Sequence, residues 1–385
     1  MRLQLSVLCL VLFALEGTAL AEDSIDVRAS SAVAGYADTD HTFVLSPTIA
    51  GALTNPTAGW SVNGRYLVDV VSAASVDIVS TASRRWEEVR HVGSAGGLYK
   101  PGAFGVAANA DVSIEPDYQA YTFSGSVQQD LSNKNLTLLL GYEHEHDISG
   151  RSSTPFSVYS KKIDHEAVKG GLTVVLDRST LLSTVADVTF ENGDTSKPYR
   201  YVPMFAPGVD VPKGASVDAV TQLRLPARVL EQLPTSRNRY SLAGHLAHRF
   251  DHSTLRVSER LYTDSWGLHA TTTDVRFILD LSPRVDLGPH LRFHAQSPVE
   301  FWQRAYVMQP GSFDYPALRT GDRELGPTLN FTSGGALHLA IGPALRPRAW
   351  VLGLDLNVTE IRYLDDIYIS HKLSTVGAVS VEAEF

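Results

Sequence analysis

Long stretches of this chain alternate between apolar and polar side chains. Trp60, Val62, Gly64, Tyr66, Val68 and Val70 share one parity, against Ser61, Asn63, Arg65 and Asp69. Thr273, Val275, Phe277, Leu279 and Leu281 oppose Thr272, Asp274, Arg276 and Asp280 in the same way. So do Trp350, Leu352, Leu354, Leu356 and Val358 against Asp355, Asn357 and Thr359. Successive side chains of a strand point to opposite faces, so each stretch predicts a strand with one oily and one wet face. A soluble sandwich alternates too, but its strands run about five or six residues, well short of these. An outer-membrane strand needs this division, with lipid on one face and a polar lumen on the other.

The breaks between strands carry a second signal. Short turns are predicted near 53–59, 100–103, 132–135, 177–180, 251–254, 282–288 and 342–348. Between them lie short connections near 37–41, 115–117, 264–267 and 364–368, and long ones near 72–85, 148–160, 193–236 and 304–323. All the long loops fall on alternate connections, as expected when short turns face the periplasm and longer loops face outward. Backbone groups in hydrocarbon must pair internally, so such a sheet has to close on itself. The predicted fold is all-β: a transmembrane antiparallel up-and-down β-barrel of about sixteen strands (range roughly fourteen to eighteen) with both termini in the periplasm. Loop 193–236 carries a predicted short helix, "ARVLEQL" (227–233), after Pro226, and is long enough to fold over or into the mouth.

The ends of the chain fit this picture. Arg2, the apolar run Leu3 to Leu15 and the small residues of Ala19-Leu20-Ala21 read as a signal peptide over 1–21, leaving 22–385 as a single exported barrel domain. Cys9, the only cysteine, lies inside that leader, so the mature chain forms no disulfide. At the other end, Gly377, Val379, Val381, Ala383 and Phe385 alternate with polar or small residues. A final strand ending in Phe385 resembles the signal that bacterial barrel-assembly machinery recognises, which makes that machinery and outer-membrane lipid the expected partners. After the leader no run of eighteen apolar residues occurs, and the net charge of −9 comes from intermixed signs without a basic stripe. Nucleic acid is therefore not an expected partner.

Several stretches go beyond generic barrel grammar: "YLVDVVSAASVDIVSTAS" (66–83), "VSIEPDY" (112–118), "SKPYR" (196–200), "LPTSRNRY" (233–240), "LYTDSWGLHATTT" (261–273) and "HLRFHAQSPVEFWQRAY" (290–306). Together they resemble an uncharacterised family of bacterial outer-membrane β-barrels known only as a domain of unknown function, from about residue 35 to the C-terminus. The resemblance implies a fold and an outer-membrane location, but no catalytic residues. It also implies an envelope lipoprotein or redox protein as partner, and a link to envelope redox or metal handling.

Two groups of residues could carry chemistry. In "YEHEHD" (142–147), His144 and His146 share a strand face, and "KIDHE" (162–166) brings Asp164, His165 and Glu166 to about the same height on the next strand. His144, His146 and His165 are thus candidate ligands for a divalent transition metal, or members of a His/carboxylate pair that activates water at the rim. The second group is predicted to face the lumen: Arg65, Asp69, His245, Arg256, Arg260, Asp274, Arg276, Asp280, Arg292, His294 and Asp355. Mixed signs suit either salt bridges that brace the wall or a selective solute path. No Gly-rich phosphate loop, nucleophile elbow or HExxH motif occurs, so no cofactor and no enzymatic activity are expected. The leading expectation is a porin-like channel, or the membrane component of an envelope complex handling a small solute. A rim-active hydrolase and a structural barrel that binds a partner through its loops are the alternatives.

Overall fold

The computed structural model of the chain describes residues 25–72, 87–198, 200–343 and 349–385. The leader over 1–21, nearly all of the loop expected near 72–85 and most of the turn expected near 342–348 lie outside the described residues. The first half of the wall comprises β1 (Asp26–Asp38), β2 (Phe43–Asn55), β3 (Trp60–Ser72), β4 (Glu87–Tyr99), β5 (Phe104–Ile114), β6 (Tyr118–Leu131), β7 (Leu136–Ser149), β8 (Lys161–Val175) and β9 (Thr180–Gly193). A long connection follows, containing β10 (Tyr201–Val202), β11 (Met204–Phe205), the helix α1 (Val217–Leu223) and β12 (Val229–Leu230). The wall resumes with β13 (Ser236–Arg249), β14 (Ser253–Asp264), β15 (His269–Ser282) and β16 (Val285–Gln296). After the short β17 (Tyr306–Val307) come β18 (Thr328–Ile341), β19 (Trp350–Tyr363) and β20 (His371–Glu384).

The sixteen long strands pair in sequence order and close into one antiparallel barrel, with β20 returning to β1 through Val33↔Val379 and Gly35↔Gly377. They run from 11 residues in β5 to 15 in β8, enough for tilted strands to cross a bilayer. Among the described residues no helix is long and apolar enough to cross a membrane. Connections alternate in length as expected. One end of the barrel carries the tight turns 56–59, 100–103, 132–135, 176–179, 250–252 and 283–284 together with both termini; the other carries the long segments 194–235 and 297–327.

Register fixes which face is which. The row Leu337–Leu354–Val379–Val33 runs across four strands, and Leu354 and Val379 are 53% and 58% exposed. Apolar side chains are thus the exposed ones, the reverse of a soluble sheet and what a lipid-facing wall requires. The next row, Ala336–Asp355–Ala378–Ala34, belongs to the inner face. An exception on the outer face is Glu259, midway along β14, whose carboxylate accepts hydrogen bonds from Thr271 Oγ1 at 2.5 Å and Thr273 Oγ1 at 2.6 Å. Those bonds offset part of the cost of a carboxyl group at that depth.

The dry core lies outside the wall. Its largest fully buried side chains are Tyr306, Phe205, Met204, Val202, Val220, Val299 and Thr320, all from connections 194–235 and 297–327. These two segments fold together as a cap over one end, with β10 pairing to β12 and β11 lying parallel to β17. Burying a side chain such as Phe205 or Met204 contributes about 1.5–3 kcal/mol, so the cap is held by packing like a small domain. The helix expected over 227–233 does not form there. Val229 is buried against Val202 and Met204, and extended pairing of Val229 and Leu230 with Val202 and Tyr201 wins over local propensity. The helix is α1 instead, where the Ser216 side chain accepts from the Ala219 N–H at 3.2 Å and Asp218 sits in the first turn.

Candidate functional site

The three histidines expected to share a metal ion do not meet. Register pairs His144 with Glu166, Glu145 with His165, and His146 with Asp164. His144 and His146 therefore lie on the outer face, where their Nδ1 atoms bond Glu166 at 2.7 Å and Asp164 at 2.6 Å. His165 has the opposite parity and points inward. Its Nε2 faces Asp147 at 3.4 Å and its Nδ1 faces Glu191 at 3.6 Å. The metal reading fails because a one-residue offset turns a strand side chain through the wall. The same geometry argues against His165 as a general base, since a carboxylate facing each ring nitrogen favours a ring that already holds both protons. Beside this rim, Glu88, Glu115 and Asp117 bring their carboxylate oxygens within 4.8 Å of one another. Burial pushes the Glu115 carboxyl up, with the Arg90 guanidinium 3.8 Å away pulling against it, so protonation and Arg90 both relieve the crowding.

All of the lumen candidates lie on the inner face: Arg65, Asp69, His245, Arg256, Arg260, Asp274, Arg276, Asp280, Arg292, His294 and Asp355 have the parity opposite to the apolar rows. Part of this set braces the wall. Asp69 accepts from Arg90 Nε at 2.8 Å and from Ser46 Oγ at 2.5 Å, and Arg249 pairs with Asp280. His290 reaches Asp274 through Nε2 at 2.8 Å and Asn357 through Nδ1 at 2.9 Å. Two further arginines on this face, Arg237 and Arg239, were not among the candidates. Arg237 Nε bonds the buried Asp264 at 2.9 Å with its guanidinium over the Trp266 ring, and Arg239 pairs with Glu191. Their parity in "SRNRY" matches Ser241 and His245, but the loop expected over 193–236 puts them at the very start of the strand.

Between wall and cap lies a cavity of about 1130 Å³. Strands β13 to β16 line it with Arg239, His245, Arg256, Arg260, Arg276 and Arg292, and cap residues Leu325 and Glu324 border it. The cap is fastened by charge as well as by packing. The Arg200 guanidinium reaches Glu231 at 3.4 Å and Asp322 at 2.5 Å, while Thr320 Oγ1 donates to Glu231 at 2.6 Å. Burial pushes the Glu231 carboxyl up, and Arg200 pulls the other way. Arg323 anchors the cap to Asp40 of the β1–β2 turn at 2.7 Å, and Arg304 to Asp365 of the β19–β20 connection at 2.5 Å. None of these latch residues was legible as a site, because partners such as Arg200 and Asp322 lie over a hundred residues apart.

The wall and its cap define an outer-membrane β-barrel. The model of a family described as "Protein of unknown function (DUF3570)" matches residues 156–341, spanning β8 to β18 and both cap segments. That match, to a domain of unknown function, is consistent with the resemblance to an uncharacterised family. No curated protein matches the sequence. Among solved structures, the chain is similar to the ferric enterobactin receptor PfeA (12% identity, 90% of this chain against 55% of that one, TM-score 0.44). It is also similar to a bacterial polysaccharide outer membrane secretin (9%, 95% against 100%, 0.46) and to the outer membrane protein OpdK from Pseudomonas aeruginosa (7%, 94% against 99%, 0.43). The chain spans about half the length of the siderophore receptors it matches.

Proposed function

We propose that the chain is an outer-membrane channel for a small polar solute, with the capped end facing outward and the tight turns facing the periplasm. The observation that carries this reading is the cavity of about 1130 Å³ lined by charged inner-face side chains directly beneath the cap. A purely structural barrel has no use for that space, and filling it with packed side chains would be more stable. In this reading residues 1–21 are the cleaved leader, 22–385 the barrel domain, and the strand ending in Phe385 the segment presented to the assembly machinery. The cap then controls admission, because the latch residues join separate loops that must part for a solute to pass. Liposome swelling tests it. Vesicles carrying the purified protein should swell in isotonic solutions of small solutes faster than empty vesicles, and faster again when 197–232 is replaced by a short Gly/Ser linker. Identical rates for all three would contradict a solute path.

A further inference from the structure

We propose that the inner wall of β14–β16 is a binding site for small oxyanions, solutes bearing phosphate or carboxylate groups. The proposal rests on the channel reading above and names the chemistry of what that path holds. Arg256 and Arg276 stand directly opposite each other in the β14–β15 ladder, and Arg292 is opposite Asp274 in β15–β16, one row along. Arg260 lies two rows from Arg256 on the same side of β14. Four guanidinium groups thus converge on one patch of the cavity wall.

The local anions do not balance them. Asp274 is shared between Arg276 at 3.4 Å and His290 at 2.8 Å. Asp187, which also accepts from Ser241 Oγ, reaches one of the four guanidinium groups, Arg260, at 3.8 Å. Among the described residues the Arg256 and Arg292 side chains have no carboxylate partner and no hydrogen bond, although other charges on this inner face, Arg237, Arg239, Arg249 and Lys169, are paired. Like charges directly opposite in a sheet repel. A wall selected for stability alone would place a carboxylate or a neutral residue in one of these positions.

An oxyanion removes the imbalance. Each guanidinium offers a planar fork of donors that matches carboxylate or phosphate oxygens two at a time. The neutral groups close by are already engaged: Ser258 with His245 at 2.8 Å and Thr272 with His294 at 2.8 Å. The free donors facing the cavity are therefore the arginines, which favours an anion over a neutral sugar.

The test is titration calorimetry on the detergent-solubilised full chain at low ionic strength, with inorganic phosphate, succinate and chloride as separate probes. Saturable binding of phosphate or succinate is expected, weakened at least tenfold in an R256Q/R292Q double variant that still folds by heat-modifiability. The stronger probe tells phosphate from carboxylate ligands. No binding by the parent chain, or equal binding by the double variant, overturns the site. Reversal potentials across a KCl gradient read the channel separately. Conduction without anion preference counts against the oxyanion site alone, and saturable binding without any conduction counts against the channel alone.

Discussion

Arg256 and Arg276 face each other across the β14–β15 ladder, and no carboxylate lies within ion-pair distance of Arg256. A cross-strand pair of this kind costs a few tenths to about 1 kcal/mol relative to a neutral pair. Replacing Arg256 by threonine, which suits a strand, should therefore raise stability by up to about 1 kcal/mol in urea unfolding. A loss of stability would show that Arg256 has a bracing role that the structure does not reveal.

The cap should open without the barrel. Arg200 and Glu231 are both buried; removing Glu231 takes one carboxylate from Arg200, leaving Asp322, and strips Thr320 Oγ1 of its acceptor, a loss of about 1–3 kcal/mol. In Glu231→Ala, protease should cut within 194–235 while the boiled and unboiled forms still migrate differently on a gel. Glu231→Gln keeps an acceptor for Thr320 and should be cut more slowly. Resistance of both variants equal to that of the parent would refute the latch.

Acid should loosen the cap only at the extreme. Burial works against the Asp194 carboxylate, but Lys161 at 2.7 Å and the Ser196 N–H at 2.9 Å hold its pKa below the ordinary value. A depressed carboxylate contributes stability that is present above its unfolded pKa and lost as pH falls through the folded value. Glu231, pushed up by burial, has the opposite sign: its contribution is complete below the unfolded pKa and lost as pH rises through the folded one. Protection of 194–235 from hydrogen exchange should hold from pH 7 to about 5 and fall below about 3.8. A steady decline beginning near neutrality would count against both assignments.

Closure should depend on the last residue. Phe385 meets the Trp350 ring edge-on at 6.0 Å between centroids, and its N–H donates to the Val27 carbonyl at 2.9 Å across the β1–β20 seam. Deleting Phe385 should lower the folded yield in the outer membrane several-fold, whereas an exposed turn change such as Asn133→Gly should not. Equal folded yields would remove Phe385 from the account.

The wall was legible in the sequence because its physics is local. A period of two places Arg65, Asp274 and Asp355 opposite the apolar row wherever a strand is long enough to establish parity. The length of loop 193–236 showed that it could cover the mouth, but the contacts inside the cap were not legible, for the opposite reason. Met204 packs with Tyr306, and Arg200 pairs with Asp322 across a wide gap in sequence, and neither contact leaves a periodic trace. The three-histidine site failed on the residue offset that alternation cannot fix between strands: His144 and His165 read as neighbours along the chain's pattern, yet the register sends them to opposite sides of the wall.

The central claim, a solute path closed by a folded cap, is tested most directly by single-channel recording in planar bilayers. The full chain should give rare or small openings in 1 M KCl, and the variant with 197–232 replaced by a linker should give larger and longer ones. Silent bilayers for both proteins, with folded barrel confirmed in the same membranes, would contradict it.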